Sequence, residues 1–241
     1  QTCFKKLFNN IHSTTHMIKL IDLGILANKT LIIADLHIGY EEALNKQGVL
    51  VPRLQFNKLK NRLTKLLKQT NPETVIINGD IKHEFGTISE QEWRETLKII
   101  DLITENSKLI IIKGNHDKVI GPIANKRNVE IVDHYITDDI YICHGNKLVD
   151  IKQNTIIIAH LHPAITLKDE AKSEKYKCFL KANYQDKTLY VLPSFLQTTE
   201  GTDITREAIN DPFLKDLKEV EVIIPMEDKL YNFGKISLNH Q

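Results

Sequence analysis

The chain has few of the features that would tie it to a membrane or to an oxidising compartment. Only three cysteines occur, Cys3, Cys143 and Cys178, with no close pair or ligand-spaced set among them, so no disulfide framework is expected. No apolar run approaches the roughly 18 residues of a membrane helix, and residues 1–16 lack the apolar segment of a secretory signal. The sequence therefore predicts a cytoplasmic protein with no membrane partner.

Net charge is also nearly absent. Lysine and arginine (32) almost balance aspartate and glutamate (31), and the resulting net charge of +1 gives no overall attraction to nucleic acid. With 41% hydrophobic residues, the chain can build a large core. The length favours one domain, predicted over residues 17–241, which an N-terminal extension of residues 1–16 precedes.

What the chain does have is one pattern repeated five times, a short run of branched apolar residues followed by polar residues that can bind metals. Short runs rich in Ile and Val are typical of buried strands. Polar residues just past strand ends meet at one edge of a sheet, where open α/β folds place their sites. The five stretches are Leu31–His37, Val75–Asp80, Leu109–Asp117, Ile140–Gly145 and Thr155–His162.

Amphipathic helical patterns lie between these strands. Residues 53–69 repeat apolar side chains at helical spacing. Ser89 and Glu92 form a capping-box pattern before a second helical repeat that ends at Asn106. The alternation predicts a layered α/β domain. Residues 172–187 are charged and mixed, but further strands are predicted at residues 17–23, 188–192 and 220–224, which favours two packed sheets.

The types of ligand indicate a centre for two divalent metal ions. Asp35 and His37 can both face one ion, and the two oxygens of Asp80 can bridge two ions. Mixed oxygen and nitrogen ligands suit Mn²⁺, Fe or Zn²⁺ better than Ca²⁺ or Mg²⁺ alone. Two ions about 3.5–4 Å apart would hold a water molecule as hydroxide and clamp phosphoryl oxygens. The predicted ligands are Asp35, His37, Asp80, Asn115, His144, His160 and His162.

The leaving oxygen of such a reaction needs a proton. His116 follows a predicted ligand, and Asp117 is predicted to orient and charge its ring. Cys143 is predicted to lie in the core, because neighbouring residues of a strand point to opposite faces. The histidines without such a context, predicted to be surface or loop residues, are His12, His16, His134 and His240.

These motifs resemble the calcineurin-like metallophosphoesterase superfamily. Asp-x-His, Gly-Asp, Gly-Asn-His-Asp, a lone His and x-His-x-His follow one another from Asp35 to His162, with Ala159 where the superfamily has Gly. Ala there would cost about a kcal/mol if the backbone needs a positive φ. The resemblance implies a four-layer α-β-β-α sandwich in a single domain.

The same resemblance assigns roles to the predicted ligands. It implies that His116 contacts the phosphate and acts as general acid, with two Mn²⁺ ions as the cofactors. The first metal would be held by Asp35, His37, Asp80 and His162, and the second by Asp80, Asn115, His144 and His160.

Narrower features are similar to the SbcD-related group of stand-alone archaeal and bacterial phosphoesterases, whose relatives include DNA-break repair nucleases. These features are residues 34–41, 79–86 and 92–95. The resemblance implies a phosphodiesterase that cleaves DNA, with His83 as a second acid/base or a brace for His116; the alternative for His83 is a structural role. The chain after His162 is too short for the capping domain and partner-binding tail of the large repair nucleases. The protein is expected to act alone, with a different partner or as a homodimer.

Other functions remain open from the sequence. A phosphomonoesterase, or a nucleotide or cyclic-nucleotide phosphodiesterase, would use the same centre, because the metals recognise only the phosphate. A scaffold protein of this fold is the non-enzyme alternative, and it predicts gaps among the ligands, where none occurs. Lys82, between Asp80 and His83, is the basic residue most expected near a bound phosphate. The basic residues of the first long helix could track phosphates, although a solvated face explains them better; they are Lys58, Lys60, Arg62, Lys65 and Lys68. Tyr40, Phe85 and Tyr176 could stack on bases and are equally explained as packing residues.

Overall fold

The computed structural model describes residues 17–49, 54–84, 86, 88–168, 173–197, 201–227 and 229–238. The predicted extension of residues 1–16 lies outside the described residues. The helices are α1 (Tyr40–Lys46), α2 (Gln55–Thr70), α3 (Glu90–Thr104) and α4 (Gly121–Asn125). The strands are β1 (Ile18–Ile21), β2 (Gly24–Ala27), β3 (Thr30–Ile33), β4 (Thr74–Asn78), β5 (Lys108–Ile112), β6 (Glu130–Val132), β7 (His134–Thr137), β8 (Ile140–Cys143), β9 (Thr155–Ile158), β10 (Pro163–Lys168), β11 (Ser173–Lys177), β12 (Phe179–Tyr184), β13 (Lys187–Val191), β14 (Thr202–Asp203), β15 (Glu219–Met226) and β16 (Lys229–Ser237).

Two large sheets bring the five predicted strand ends to one edge. The first sheet has the order β1-β2-β3-β4-β5-β6 and is parallel from β3 to β6. The second has the order β16-β15-β12-β13-β9-β8-β7, in which β13, β9 and β8 are parallel. A small sheet, β11-β10-β14, follows β9. Because the carboxyl ends of parallel strands lie at the same edge, the polar residues after β3, β4, β5, β8 and β9 converge there.

Alternation along each strand builds one core between the sheets and another under the helices. Ile76 and Ile110 of the first sheet pack against Ile157 of the second. Their neighbours Ile77 and Ile111 face the other way, toward α2 and α3. These side chains are fully buried, and each contributes about 1.5–3 kcal/mol by leaving water. The strand ends are therefore held by a packed core on both sides of the first sheet.

The predicted single-domain α/β sandwich is confirmed, and one of its outer layers differs in detail from the expected helices. In the part of the chain that the structure describes, residues 204–217 cover the outer face of the second sheet with turns. Phe213 and Leu214 pack there, and the carboxylate of Asp211 accepts hydrogen bonds from both of their amides, at 2.9 and 3.2 Å. Asp and Pro side by side favour turns over helix, which explains why this layer is irregular.

Helix α3 begins as the sequence predicts. The Ser89 hydroxyl accepts a hydrogen bond from the Glu92 amide at 3.0 Å, and the Glu92 carboxylate accepts one from the Ser89 amide at 3.0 Å. The mixed segment 172–187 contains β11 and β12, which the sequence did not predict. None of the described helices is long and apolar enough to cross a membrane.

Candidate metal centre

Five of the predicted ligands sit in left-handed backbone, in the loops after β3, β4 and β9. Positive φ is uncommon outside glycine, and Asp and His adopt it more readily than most residues. When such residues cluster, they mark a functional site in which the fold holds the backbone in place. Their φ values are 54° at Asp35, 42° at His37, 47° at Asp80, 69° at His160 and 52° at His162. Ala159 is not among the positive-φ residues and is buried between the sheets, so the cost expected at that position does not arise.

One group of ligand atoms comes from Asp35, His37 and His162. Their donor atoms lie within 4.8 Å of one another. His162 Nε2 is 3.3 Å from His37 Nε2 and 3.3 Å from Asp35 Oδ1. Burial alone would raise the pKa of Asp35, but His162, His144 and His37 outweigh it and lower the pKa. Asp35 is therefore a buried anion facing two imidazoles.

The Asp35 carboxylate is the observation that fits a metal ion best. It is fully buried, and neither of its oxygens has a hydrogen-bond donor among the described residues. A buried anion is costly unless a cation balances its charge. The group Asp35, His37 and His162 thus fits a divalent cation.

A second group comes from Asp80, His144 and His160, whose donor atoms also lie within 4.8 Å of one another. His144 Nε2 is 3.3 Å from Asp80 Oδ2 and 3.1 Å from Asn115 Oδ1. His144 Nδ1 lies 3.1 Å from the Asn78 carbonyl oxygen. When Nδ1–H donates to that oxygen, Nε2 is directed at the other ligands, as in many metal sites.

His37 of the first group and His144 of the second differ in charge. Burial lowers the pKa of His37 to about 3, so this ring is neutral. Burial also lowers the pKa of His144, but Asp80 and Asp35 outweigh it and raise that pKa to about 9. A metal ion that takes the place of the His144 proton would relieve the same pair of carboxylates.

His116 lies beside both groups. Its amide donates to Asp80 Oδ1 at 2.9 Å, and its Nε2 is 3.8 Å from Asp80 Oδ2. Its Nδ1 is 2.5 Å from the His83 carbonyl oxygen. The ring centroids of His37 and His116 are 5.0 Å apart. The structure therefore brings together all seven predicted ligands and places the predicted acid at the same edge.

The family of the chain follows from a match over most of its length. The sequence profile of the calcineurin-like phosphoesterases matches residues 29–224. The chain belongs to this family. Among curated proteins, none matches the chain.

Several solved structures are similar to this calcineurin-like phosphoesterase. The nuclease MPE of Pseudomonas putida has a TM-score of 0.65 at 20% identity, with 90% of this chain and 95% of that chain covered. The Yfce phosphoesterase of E. coli has a TM-score of 0.42 at 12% identity, covering 87% of this chain and 99% of that chain. A Vps29 mutant of Entamoeba histolytica has a TM-score of 0.37 at 13% identity, covering 87% and 99%. The last two scores are too low to carry an argument.

Asp117 connects two loops of the centre in this calcineurin-like phosphoesterase. Its buried carboxylate accepts hydrogen bonds from the amides of Ile81 and Gly114, both at 3.1 Å. Burial, and then Asp80, raise its pKa to about 6. Asp117 thereby ties the loop after β4 to the loop after β5, and its role in orienting His116 stays a prediction.

Glu92 holds the loop that carries His83, a role that the capping-box pattern did not reveal. The carboxylate is fully buried, and its Oε1 accepts hydrogen bonds from the amides of His83 at 3.2 Å and Glu84 at 3.0 Å. A Cβ atom at Gly39 would lie 2.3 Å from Glu92 Cγ, so the first ligand loop packs directly against this glutamate. Glu92 thus connects helix α3 to the metal centre.

The His83 ring lies between the centre and Tyr40. Its centroid is 4.9 Å from that of Tyr40 and 5.8 Å from that of His116. The donor atoms of His37, His83 and His116 also lie within 4.8 Å of one another. Burial, and then His116, lower the pKa of His83. The ring and the carbonyl group of His83 both lie beside His116, and the choice between acid/base, brace and structural residue stays a prediction.

The other candidate contacts to substrate are mostly engaged or enclosed. Lys82 is fully buried, and its place near a bound phosphate stays a prediction. Arg62 donates to Asp22 at 2.7 Å, and the Tyr176 hydroxyl donates to Glu174. Phe85 lies outside the described residues. Cys143 is buried in the core of the second sheet, as predicted, and burial raises its pKa to about 12.

Proposed function

We propose that this metal-dependent phosphoesterase is a phosphodiesterase that cleaves DNA. The observation that carries the proposal is the meeting of two three-ligand groups, one of them containing a buried carboxylate without a donor, with His116 beside both. The likeness in fold to a nuclease along nearly the whole chain supports DNA over a small phosphoester as substrate. The motif likeness to the SbcD-related group supports the same substrate.

Asp35, His37 and His162 would hold one ion, and Asn115, His144 and His160 the other, with Asp80 within reach of both groups. Bound divalent ions supply Lewis acidity and an activated water molecule. We propose Mn²⁺, because the ligands combine carboxylate, amide and imidazole. We also propose a cytoplasmic location, which the two buried free cysteines, Cys143 and Cys178, support.

His116 would give the proton to the leaving oxygen. The His83 carbonyl oxygen, 2.5 Å from Nδ1, accepts the Nδ1 hydrogen and leaves Nε2–H directed at the substrate. The Asp80 carboxylate lies 3.8 Å from Nε2, on the side of the ring that would give up the proton. Glu92 and Asp117 keep the loops of His83 and His116 at this spacing.

The test is a nuclease assay with end-labelled single- and double-stranded DNA in Mn²⁺. Wild type is compared with Asp80→Asn and with the matched control Asp216→Asn. Asp216 is exposed and lies in the turns that cover the outer face of the second sheet. Cleavage by wild type and the control, but not by Asp80→Asn, is the expected result. If wild type hydrolyses an artificial phosphodiester but leaves DNA intact, the metal chemistry stands and the substrate is a small nucleotide. If no ester is hydrolysed, the scaffold alternative replaces the enzyme.

A further inference from the structure

An open cleft of about 520 Å³ adjoins the metal centre. Its walls come from the loop after β5, the loop after β8 and the start of the edge strand β7. Asn115 and His144 belong both to the cleft wall and to the second group of ligands. A phosphoester held at the metal centre would therefore have a direct continuation into this cleft.

The cleft wall is basic although the whole chain is nearly neutral. Lys113, Lys118 and Lys147 line it, and all three are exposed. Within the described part of the chain, none of the three forms an ion pair or a hydrogen bond through its side chain. Asp133 is the one carboxylate in the wall, so three positive charges face one negative charge. Unpaired lysines beside a phosphate-binding centre are suited to further phosphates of the same chain.

A ring stack stands at the β7 side of the cleft. The His134 ring lies on the Tyr141 ring, with centroids 4.9 Å apart and planes inclined by 14°. Tyr141 is only 7% exposed, whereas His134 is exposed. One face of the His134 ring is therefore covered and the other is accessible from the cleft. The sequence predicted His134 to be a surface or loop residue. It could not reveal the stack, because the stack depends on the pairing of β7 with β8.

We propose that this cleft binds single-stranded nucleic acid on one side of the cleaved phosphate. Lys113, Lys118 and Lys147 contact phosphates of the continuing chain, and His134 stacks on one base. The inference rests on the proposed nuclease function and deepens it, because a small phosphodiester would fill the metal centre without reaching the cleft. A single strand is specified on two grounds: a base must be unpaired to stack on a side chain, and the volume is that of a ligand pocket.

The binding test uses a fluorescein-labelled single-stranded 12-mer in the presence of a chelator, so that bound metal plays no part. The triple variant Lys113→Ala, Lys118→Ala, Lys147→Ala is compared with a control triple, Lys152→Ala, Lys215→Ala, Lys218→Ala, whose lysines are exposed and lie outside the cleft. The cleft triple should bind at least tenfold more weakly. The slope of log K against log salt should fall by about 2, because each phosphate contact to a single strand contributes about 0.7. The control triple should bind within twofold of wild type.

Two further measurements separate binding from folding and stacking. In Mn²⁺, the ratio of kcat/KM for the 12-mer to that for an artificial phosphodiester should fall at least tenfold in the cleft triple. A misfolded variant would lose both activities together and would show a changed circular dichroism spectrum. His134→Ala should weaken binding of the 12-mer about fivefold, and His134→Phe should restore it, because stacking needs only a ring.

Failure of the cleft inference differs from failure of the nuclease proposal. If wild type cleaves the 12-mer while the cleft triple keeps its affinity and salt slope, the nuclease stands and the cleft inference is overturned. If wild type neither binds nor cleaves the 12-mer but hydrolyses the artificial diester, both fall. If His134→Phe binds as weakly as His134→Ala, the stacking role is wrong.

Discussion

Replacing Gly114 by alanine should disable the metal centre through a single added methyl group. An ideal Cβ at Gly114 lies 2.2 Å from Asp80 Oδ1 and 2.4 Å from the Asp80 amide nitrogen, whereas real Cβ atoms keep at least 3.0 Å from such neighbours. The carboxylate oxygen must therefore move by at least 0.8 Å, the difference between 3.0 and 2.2 Å. The backbone nitrogen cannot rotate away, so the loop after β4 must move as well. Overpacking of this kind costs about 1–3 kcal/mol of stability.

The effect on activity should exceed the effect on stability. A displacement near 1 Å at a reacting group can cost about 100-fold in rate, and Asp80 is the carboxylate proposed as a ligand of both ions. Gly121→Ala is the matched control, because nothing lies within 4 Å of its Cβ and its φ is not positive. Turnover of an artificial phosphodiester and bound metal should both fall in Gly114→Ala and stay within twofold of wild type in Gly121→Ala. Full metal content and turnover in Gly114→Ala would refute the packing argument.

Three further outcomes are expected. His116→Ala should keep its metal but lose most turnover, more so for poor leaving groups, in assays with a series of aryl esters; loss of metal instead would make His116 a ligand. Glu92→Ala leaves the amides of His83, Glu84 and Ser89 without their acceptor. The free energy of unfolding, measured in urea, should therefore fall by about 3 kcal/mol, at least 1 for each amide. For Glu92→Gln it should fall by about 1 kcal/mol, and equal losses in the two variants would disprove this role of the carboxylate. Burial lowers the pKa of His144, but the two carboxylates raise it to about 9. The positive charge of His144 therefore stabilises the metal-free protein fully below pH 6.5, and this stabilisation is lost as the pH rises through 9. Metal binding at pH 7 should then release about one proton, measured by calorimetry in two buffers; no release would contradict the charged state.

The sequence predicts the ligands well because each is specified locally. An apolar run fixes a buried strand, and the polar residues after it must leave the sheet at its edge. Nothing about distant contacts is needed to place Asp35 after β3 or Asp80 after β4. The parallel order of β3, β4 and β5 then brings them together, and parallel order follows from the helices between these strands.

The features that the sequence missed all depend on pairs of segments far apart along the chain. Asp117 accepts a hydrogen bond from the amide of Ile81, 36 residues earlier. From the sequence alone, the adjacent His116 was the more obvious partner for its carboxylate. The sequence correctly predicted Glu92 as part of a helix cap. Only the folded structure shows that its carboxylate also accepts a hydrogen bond from the His83 amide. Strand β11 was missed because it lies at the edge of its sheet and carries charged residues, which hides its alternation. The residues that hold the centre in place are therefore harder to predict than the residues that form it.

The two sheets of the sandwich must dock before the centre exists. A Cβ at Gly79, in the first sheet's loop, would lie 2.1 Å from His144 Nδ1, in the second sheet's loop. The Ser194 hydroxyl, beyond β13 of the second sheet, donates to the Asp35 carbonyl oxygen at 2.9 Å. Each ligand group contains residues of both sheets. Asp35 and His37 follow β3 and meet His162 after β9, whereas Asp80 follows β4 and meets His144 and His160 after β8 and β9. Metal ions bound to both groups would therefore link the sheets directly, and the packing of isoleucines between the sheets sets the distance between the ligands.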